Sequence, residues 1–562
     1  MSEKPAEADV PGTLLPKRQL IALFGALMVT MFMAALDQSI VGTALPTIVG
    51  DLQGMDEYTW VVTAYLVALT ATTPLYGKLS DQFGRRRVIV TAIVIFLIAS
   101  ALAGISQNMW QLVVFRGLQG IGAGGLMTLS FTIVSDVVSP RARGKYLGYF
   151  GGVFAVSSVL GPVLGGFFAD FDWRWIFYIN IPLGVVAVLA VNSVLARHPA
   201  ERRGHKIDIL GAALLVPAVV SLMLALTWGG GTYAWSSPTI ITLLVAAAVL
   251  TVAFIVTETR ASEPILPLRM FRKATFSLAA LIAFIFGVSM FAGMVYIPLF
   301  LQSVRGYSPT QAGLMLLPMA ISVVASSVVV GQLTTKTGRY KPFLVAGSVV
   351  TTVGLGLFSQ VHVDIDLTVG AAYLVVLGVG MGMFMQPLVL AMQNIVSVED
   401  LGAGTATNNF ARSLGGAVGT TALGAVMNST VGNRLEEQMP AVVQELTPEQ
   451  LQQMRDSGFS GGDLESPAVI DRLPGPVQEA AQLAFTDAMD RVFLVAASIA
   501  VVSVILTLFL PDLKLRGDVH TPKPSDDKAR ADDARATKQV LAGPFSGPRA
   551  PPGPTLDARH GP

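Results

Sequence analysis

Apolar residues in this chain run in long unbroken blocks rather than with the period of a half-buried helix or strand. A membrane-crossing helix needs roughly 20 such residues, and fourteen blocks meet that length. The first six lie at about 20–41, 58–76, 87–106, 110–135, 145–169 and 175–195; two follow at 207–228 and 238–257. The last six lie near 275–302, 311–333, 342–360, 367–390, 404–428 and 487–510. Helices apolar all round belong in lipid or against other helices, so the pattern predicts an all-α polytopic membrane protein.

The polar connections assign an orientation, because Lys and Arg accumulate in short cytoplasmic loops. With the N-terminus inside, the inward connections GKLSDQFGRRR, SPRARGK, ARHPAERRGHK, RASEPILPLRMFRK and TTKTGRYK are all basic. The outward stretches GDLQGMDEYTW, ISQN, TWGGGTYAWSSP and SQVHVDID carry no Lys or Arg, and the other short ones offer only Arg174 and Arg305. Both termini are therefore expected in the cytoplasm of a cell with a bacterial inner-membrane type of envelope. The chain divides into a cytoplasmic segment 1–19, six helices over 20–200, two additional helices over 201–260, and six more over 261–515. A polar outward insertion at about 428–486 contains TPEQLQQMRDSG, which has a Thr cap and reads as a short amphipathic helix. It is a solvated insertion or a gate or partner-docking element. From 516 to 562 the apolar content is too low for a packed core, and a disordered cytoplasmic tail is expected.

Composition agrees: of 562 residues 52% are hydrophobic and 13% charged, against about a quarter charged in soluble domains, and mean hydropathy is +0.61. A net charge of +1 gives no bulk attraction to nucleic acid, and the absence of Cys excludes thiol chemistry, disulfides and cysteine–zinc sites. The first segment holds three acidic residues and no small-residue cleavage site follows the first block, so that block is read as retained. GIGAGG (Gly120 to Gly125) matches GxGxxG but lies in a membrane helix without a βαβ unit, and no GxxxxGK[ST] occurs. Neither dinucleotide binding nor ATP hydrolysis is expected. The five His residues have no metal-ligand spacing, and no catalytic constellation is present. The chain does not read as an enzyme, and no cofactor or metal is expected.

Two features stand out of the apolar background. Asp37 sits inside the first block, where a mid-helix carboxylate costs about 2.5–3.5 kcal/mol. The loop Gly77 to Arg87, GKLSDQFGRRR, matches Gly331 to Lys341, GQLTTKTGRYK, at Gly, Leu, Gly and Arg in register, each after the second helix of a six-helix group. The second copy has Thr335 where the first has Asp81. Such repeats mark transporters whose binding sites form where repeats meet.

These residues resemble the major facilitator superfamily and, within it, the fourteen-helix drug:proton antiporters. LDQSIVGTALPTI (Leu36 to Ile48) is similar to that group's first-helix motif, and GKLSDQFGRRRV to the loop signature between helices two and three. RGLQGIGAG (Arg116 to Gly124) resembles the fourth-helix motif, GPVLGG (Gly161 to Gly166) the fifth-helix antiporter motif, and WRWIFYINIP (Trp173 to Pro182) the start of helix six. The resemblance implies two six-helix bundles with two linking helices, driven by the proton gradient, with protons, a small-molecule substrate and the lipid bilayer as its partners and neither nucleic acid nor ATP among them.

It also implies roles. Asp37 would bind and release the coupling proton, since desolvation raises a carboxyl pKa and a nearby cation lowers it; a structural hydrogen-bonding role is the other reading. Arg116, always charged, would be its partner or would face an anionic substrate group, or else it snorkels to the interface. Arg412, beside Asn408 and Asn409, divides between the same readings. In the loop, Gly77 and Gly84 permit tight geometry, with Asp81 near the next helix's dipole and Arg85 reaching Asp136. With Arg86, these form a conformational latch beyond their topological role. Gly161, Pro162, Gly165 and Gly166 give a close, kinked helix contact. Substrate-cavity candidates are Tyr65, Phe150, Phe291, Tyr296, Gln386, Asn409 and Arg412, with Met381, Met383 and Met385. The expected function is proton-driven export of hydrophobic or cationic drug-like compounds. Export of lipids or envelope metabolites is the alternative, and a proton-linked nutrient importer ranks below it.

Overall fold

The computed structural model describes residues 16–52, 58–196, 208–230, 232–261, 263–363, 365–397, 400–456 and 474–515. All lie in one of the chain's two compact units, Met1–Val519; the other, His520–Pro562, falls outside the described residues. The predicted tail, most of the first segment, most of ARHPAERRGHK and residues 457–473 of the long insertion also lie outside them.

Each of the fourteen apolar blocks falls on helix. The first six are α1 (Lys17–Leu52), α2 (Tyr58–Phe83), α3 (Arg85–Gly104), α4 (Met109–Val137), α5 (Pro140–Phe171) and the pair α6 (Trp175–Tyr178) and α7 (Asn180–Leu195). The middle two are α8 (Ile209–Trp228) and α9 (Pro238–Arg260). Then follow α10 (Ala274–Ser303), α11 (Pro309–Met315), α12 (Leu317–Thr337), α13 (Lys341–Phe358), α14 (Leu367–Ile395), α15 (Leu401–Glu445), α16 (Pro448–Asp456) and α17 (Gly475–Phe509). The sixth and tenth blocks each divide near a proline. Pro182 has no N–H to offer Tyr178, and Pro318 none for Leu314, so the helical ladder is interrupted at Ile179 and Leu316.

Among the described residues, twelve helices are long and apolar enough to cross a membrane. The two predicted spans outside that number, α2 and α15, are helical but diluted by polar residues. Their buried Thr63, Thr70, Thr73 and Ser80, and Thr405, Thr407, Asn408 and Asn409, are enclosed by protein rather than lipid. In contrast, α9 leaves Ile241, Val245, Val249, Val252 and Ile255 exposed, the surface of a helix that faces lipid.

The long insertion is more helical than expected. α15 runs on to Glu445 because Val431 and Leu435 continue its apolar stripe against Val477, Ala481, Ala484 and Phe485 of α17. Arg434 pairs with Asp487 across the two helices at 2.8 Å. TPEQLQQMRD forms α16, capped reciprocally by Thr447 and Gln450: each backbone N–H donates to the other's side chain, at 3.0 and 3.3 Å.

Helices α1 to α7 pack among themselves, as do α10 to α17, and two seams join the groups: α5 along α12, and α2 along α15. Without a hydrophobic force between helices in lipid, such seams rely on small residues. A Cβ on Gly144 of α5 would lie 2.8 Å from the Gly331 carbonyl of α12, and one on Gly77 of α2 would lie 2.7 Å from the Gly402 carbonyl of α15. Both contacts are at the end that carries the basic loops, where the two groups meet backbone to backbone. α8 packs on α2 and α15, with Trp228 edge-on to Trp60 at 4.7 Å and the Leu226 carbonyl accepting from the Thr421 hydroxyl at 2.9 Å. Every Trp of the chain (60, 110, 173, 175, 228 and 235) stands at the end opposite the basic loops. This is the interfacial preference of indole concentrated on one side.

The glycine seam makes a prediction. Lys145 N–H donates to the Thr335 hydroxyl at 3.1 Å, and the chain has no native Cys, so a K145C/T335C pair should oxidise to a cross-link readable by peptide mass spectrometry. Adding Gly331→Val, whose side chain would collide with the Gly144 carbonyl, should reduce that cross-link several-fold. An undiminished yield would show that the seam does not depend on the glycine pair.

Candidate functional site

Asp37 is fully buried in α1, and α2, α3, α4, α6 and α7 supply its surroundings. Its Oδ2 pairs with Nη1 of Arg116 on α4 at 2.5 Å. Its Oδ1 accepts from Gln119 Nε2 at 2.7 Å and from Asn180 Nδ2 at 3.2 Å. One turn beyond Arg116, Gln119 also accepts from that Nη1 at 2.7 Å. Ser100 Oγ of α3 accepts from Gln119 and Asn180 at 3.1 and 3.0 Å and donates to the Phe177 carbonyl at 3.0 Å. Beneath, the Tyr65 ring lies 4.2 Å from the guanidinium carbon, a cation–π contact, and its hydroxyl donates to the Ala34 carbonyl at 3.1 Å. The Arg116 Nε reaches the Val61 carbonyl at 3.4 Å.

Arg116, 1% exposed, does not snorkel: it is held in the interior by a carboxylate, an amide and an aromatic face. Sequence reasoning missed Gln119, Asn180 and Ser100. Gln119 was detectable three residues after Arg116 in RGLQGIGAG, and Asn180 inside WRWIFYINIP; Ser100 gave no signal.

The basic loop forms a second cluster. Arg85 bonds Asp81 at 2.5 Å and Asp136 at 2.6 Å and donates to Ser80 Oγ at 2.5 Å; Arg86 donates to Asn192 of α7 at 2.9 Å. Asp81, bonded to Arg85 at the start of α3, also lies against the first turn of α15, where a Cβ on Gly402 would be 2.6 Å from its Oδ1. A helix N-terminus attracts a carboxylate, so this acid clasps one half to the other. The repeat is present in the backbone: Gly84 and Gly338 both take positive φ, 86° and 69°, which only glycine adopts cheaply. Where the second copy has Thr335, α5 clasps it instead, Arg141 donating to the Thr335 and Lys336 carbonyls at 3.1 and 3.0 Å. Arg339, in register with Arg85, finds Asp512 at 3.7 Å. The α9–α10 connection adds ties across the same end, Lys78 to Glu263 at 2.9 Å and Arg269 to both oxygens of Asp400 at 2.9 Å.

The fifth-helix motif packs on α1 and α11. A Cβ on Gly165 would meet the Ile40 carbonyl at 2.7 Å, Gly161 lies against Ser39, and Gly313 and Thr310 approach Pro162 and Gly166. Of the remaining candidates, Phe150, Tyr65, Tyr296 and Phe291 lie apart. Phe150 is enclosed between Phe24 and Phe131, 5.6 and 5.3 Å away, a core position, and Tyr65 belongs to the Asp37 cluster. Tyr296 bonds the Thr420 carbonyl at 2.7 Å and Phe291 lies on Gly416, both inside the second half. Gln386 and Arg412 face α5, and Asn409 lies three residues before Arg412 on α15.

Two bundles joined by glycine seams, a buried acid–arginine pair and a repeated inner loop define a secondary transporter. The family model described as Major Facilitator Superfamily matches residues 27–420, and the chain belongs to that superfamily of transporters. It is 37% identical over 521 residues to the multidrug transporter protein MdtP of Bacillus subtilis (90% of this chain, 96% of that protein). It is 39% identical over 412 residues to multidrug resistance protein 3 of the same species (73% and 80%). It is 33% identical over 511 residues to the efflux pump FUS6 of Gibberella moniliformis (89% of each). The crystal structure of the human organic anion transporter MFSD10 shares the fold, with a TM-score of 0.58 at 15% identity over 88% of this chain and 100% of that one.

Removing one member of a buried ion pair leaves the other uncompensated, at a cost of about 3–5 kcal/mol. Arg116→Gln and Asp37→Asn should each lower the melting temperature of the purified protein. The double variant should lose less than the sum, by about 1–3 kcal/mol. Strictly additive losses would mean that the two side chains are not coupled.

Proposed function

We propose that this transporter exports hydrophobic, drug-like compounds from the cell in exchange for protons, by alternating access of a fourteen-helix molecule with both termini in the cytoplasm. The observation that carries the reading is the Asp37 cluster. A carboxylate fully enclosed by protein is bonded by Arg116 and two amides, and a change of conformation that moves those donors would leave it without partners in a bundle that offers no water. Asn180 Oδ1 has no donor among the described residues, and this buried acceptor suits a protonated Asp37. The clasp at the basic end supports a conformer closed to the cytoplasm, in which protonation from outside would release the arginine and begin the return. The names of the multidrug and efflux relatives support the direction and the cargo.

The driving force is adequate. An assumed potential of about 100 mV contributes roughly 2.3 kcal/mol per charge and one pH unit about 1.4 kcal/mol, so one proton sustains a gradient of several hundredfold for a neutral compound. No cofactor, ATP or nucleic acid enters this scheme. Export of a lipid or envelope molecule has one observation in its favour. An apolar groove of about 600 Å³ runs along α12, α13 and α14 between Pro318, Val329, Phe343 and Met383, wide enough for an acyl chain.

In inverted membrane vesicles, Asp37→Asn should abolish dye accumulation driven by an imposed pH gradient while dye–dye exchange persists. Uptake at the wild-type rate would refute the coupling assignment. Asp81→Asn should lower the turnover rate about tenfold with the dye's dissociation constant unchanged, measured by stopped flow and by equilibrium binding. An equal loss in both would assign Asp81 to the substrate site.

A further inference from the structure

Of the three arginines that are buried among the described residues, two are satisfied. Arg116 has Asp37, and Arg143 donates to the Val138 and Ser135 carbonyls. Arg412 of α15 is the exception. It is 6% exposed, and the Phe154 ring of α5 lies 5.9 Å from its guanidinium carbon. Among the described residues no carboxylate lies within ion-pair distance of it. Asn409, three residues earlier on the same face, is buried with both amide atoms unpaired, and Asn408 has an unpaired amide nitrogen. On α14, which also packs on α5, Gln386 is fully buried, and neither its amide nitrogen nor its oxygen has a partner among the described residues. Its Nε2 is 3.5 Å from where a Cβ on Gly151 would stand. Gly151 and Phe154 share one face of α5, so a charged and amide-lined wall of the second half meets a small and aromatic face of the first.

Polar groups in low dielectric demand partners, and a cation demands them most. A guanidinium is also the side chain whose planar fork matches a carboxylate, and an aromatic face beside it receives a flat apolar body. We infer that Arg412 anchors an anionic group of the transported compound, with the amides of Gln386 and Asn409 completing its hydrogen bonds and Phe154 carrying the apolar part. This rests on the export reading and departs from the cationic cargo anticipated in the sequence. The selected compounds are amphiphiles bearing a carboxylate or similar anion, and a cationic compound meets like charge at this wall.

The test uses two xanthene dyes of one shape: fluorescein, an anion, and rhodamine 123, its cationic ester counterpart. Binding to the purified full chain is read by fluorescence anisotropy without a gradient, so its outcome is independent of proton coupling. The wild type should prefer fluorescein. Arg412→Gln should weaken fluorescein about tenfold or more and leave rhodamine 123 unchanged or tighter, which also shows the variant folded; Arg412→Lys should retain part of the preference. The assignment is overturned if the wild type binds neither dye or favours rhodamine 123, or if Arg412→Gln weakens both dyes equally. If Asp37→Asn leaves pH-driven transport intact while the Arg412 result holds, the coupling reading fails and the anion site stands.

Discussion

A carboxylate inside a membrane bundle has no water to turn to, and most of the first half is arranged around that fact. Asp37 draws its donors from α4 and α7, while Ser100 of α3 holds two of those donors in place and Tyr65 of α2 lies under the arginine. One acid therefore fixes the mutual positions of five helices. The same low dielectric that makes the cluster strong when complete makes it costly to break at any one member.

The two halves meet differently. Their inner seams are made of backbone: Gly144 on Gly331 and Gly77 on Gly402, with Asp81 at the first turn of α15. Such contacts are short-ranged and cooperative, so they are made or lost together rather than stretched. Lys78, Arg269 and Arg339 add ion pairs at the rim, where exposed pairs contribute little individually. The loop repeat is therefore symmetric in backbone and asymmetric in chemistry. The first copy carries its own acid, while the second borrows its contacts from Arg141 of α5 and from Asp512 beyond α17.

The additional helices have unequal parts. α8 lies on the α2–α15 seam and shares an apolar cluster with Val67, Ala71 and Leu414, whereas α9 touches lipid along much of its length. At the opposite end, α15 and α17 continue past the apolar blocks as a paired extension held by Arg434 and Asp487. An insertion that reads as polar by composition is thus partly a rigid continuation of two membrane helices.

The sequence by itself determined the class and the helix positions, because a bilayer imposes span length and the rarity of buried acids directly on residue order. Fourteen apolar blocks, five basic loops, Asp37 with Arg116, and the repeated GxL…GR loop were all readable as local patterns. Only the tertiary structure decided the partners. Asn180 lies 143 positions from Asp37, and Gly402 lies far beyond Gly77 in the chain; no local pattern encodes such distances. The same holds for the substrate-cavity candidates. Phe150 and Arg412 are both large side chains within membrane helices, yet one faces Phe24 and Phe131 and the other faces Phe154 across the two halves. Which way a helix turns within the bundle depends on all its neighbours at once, and that is settled only when they pack.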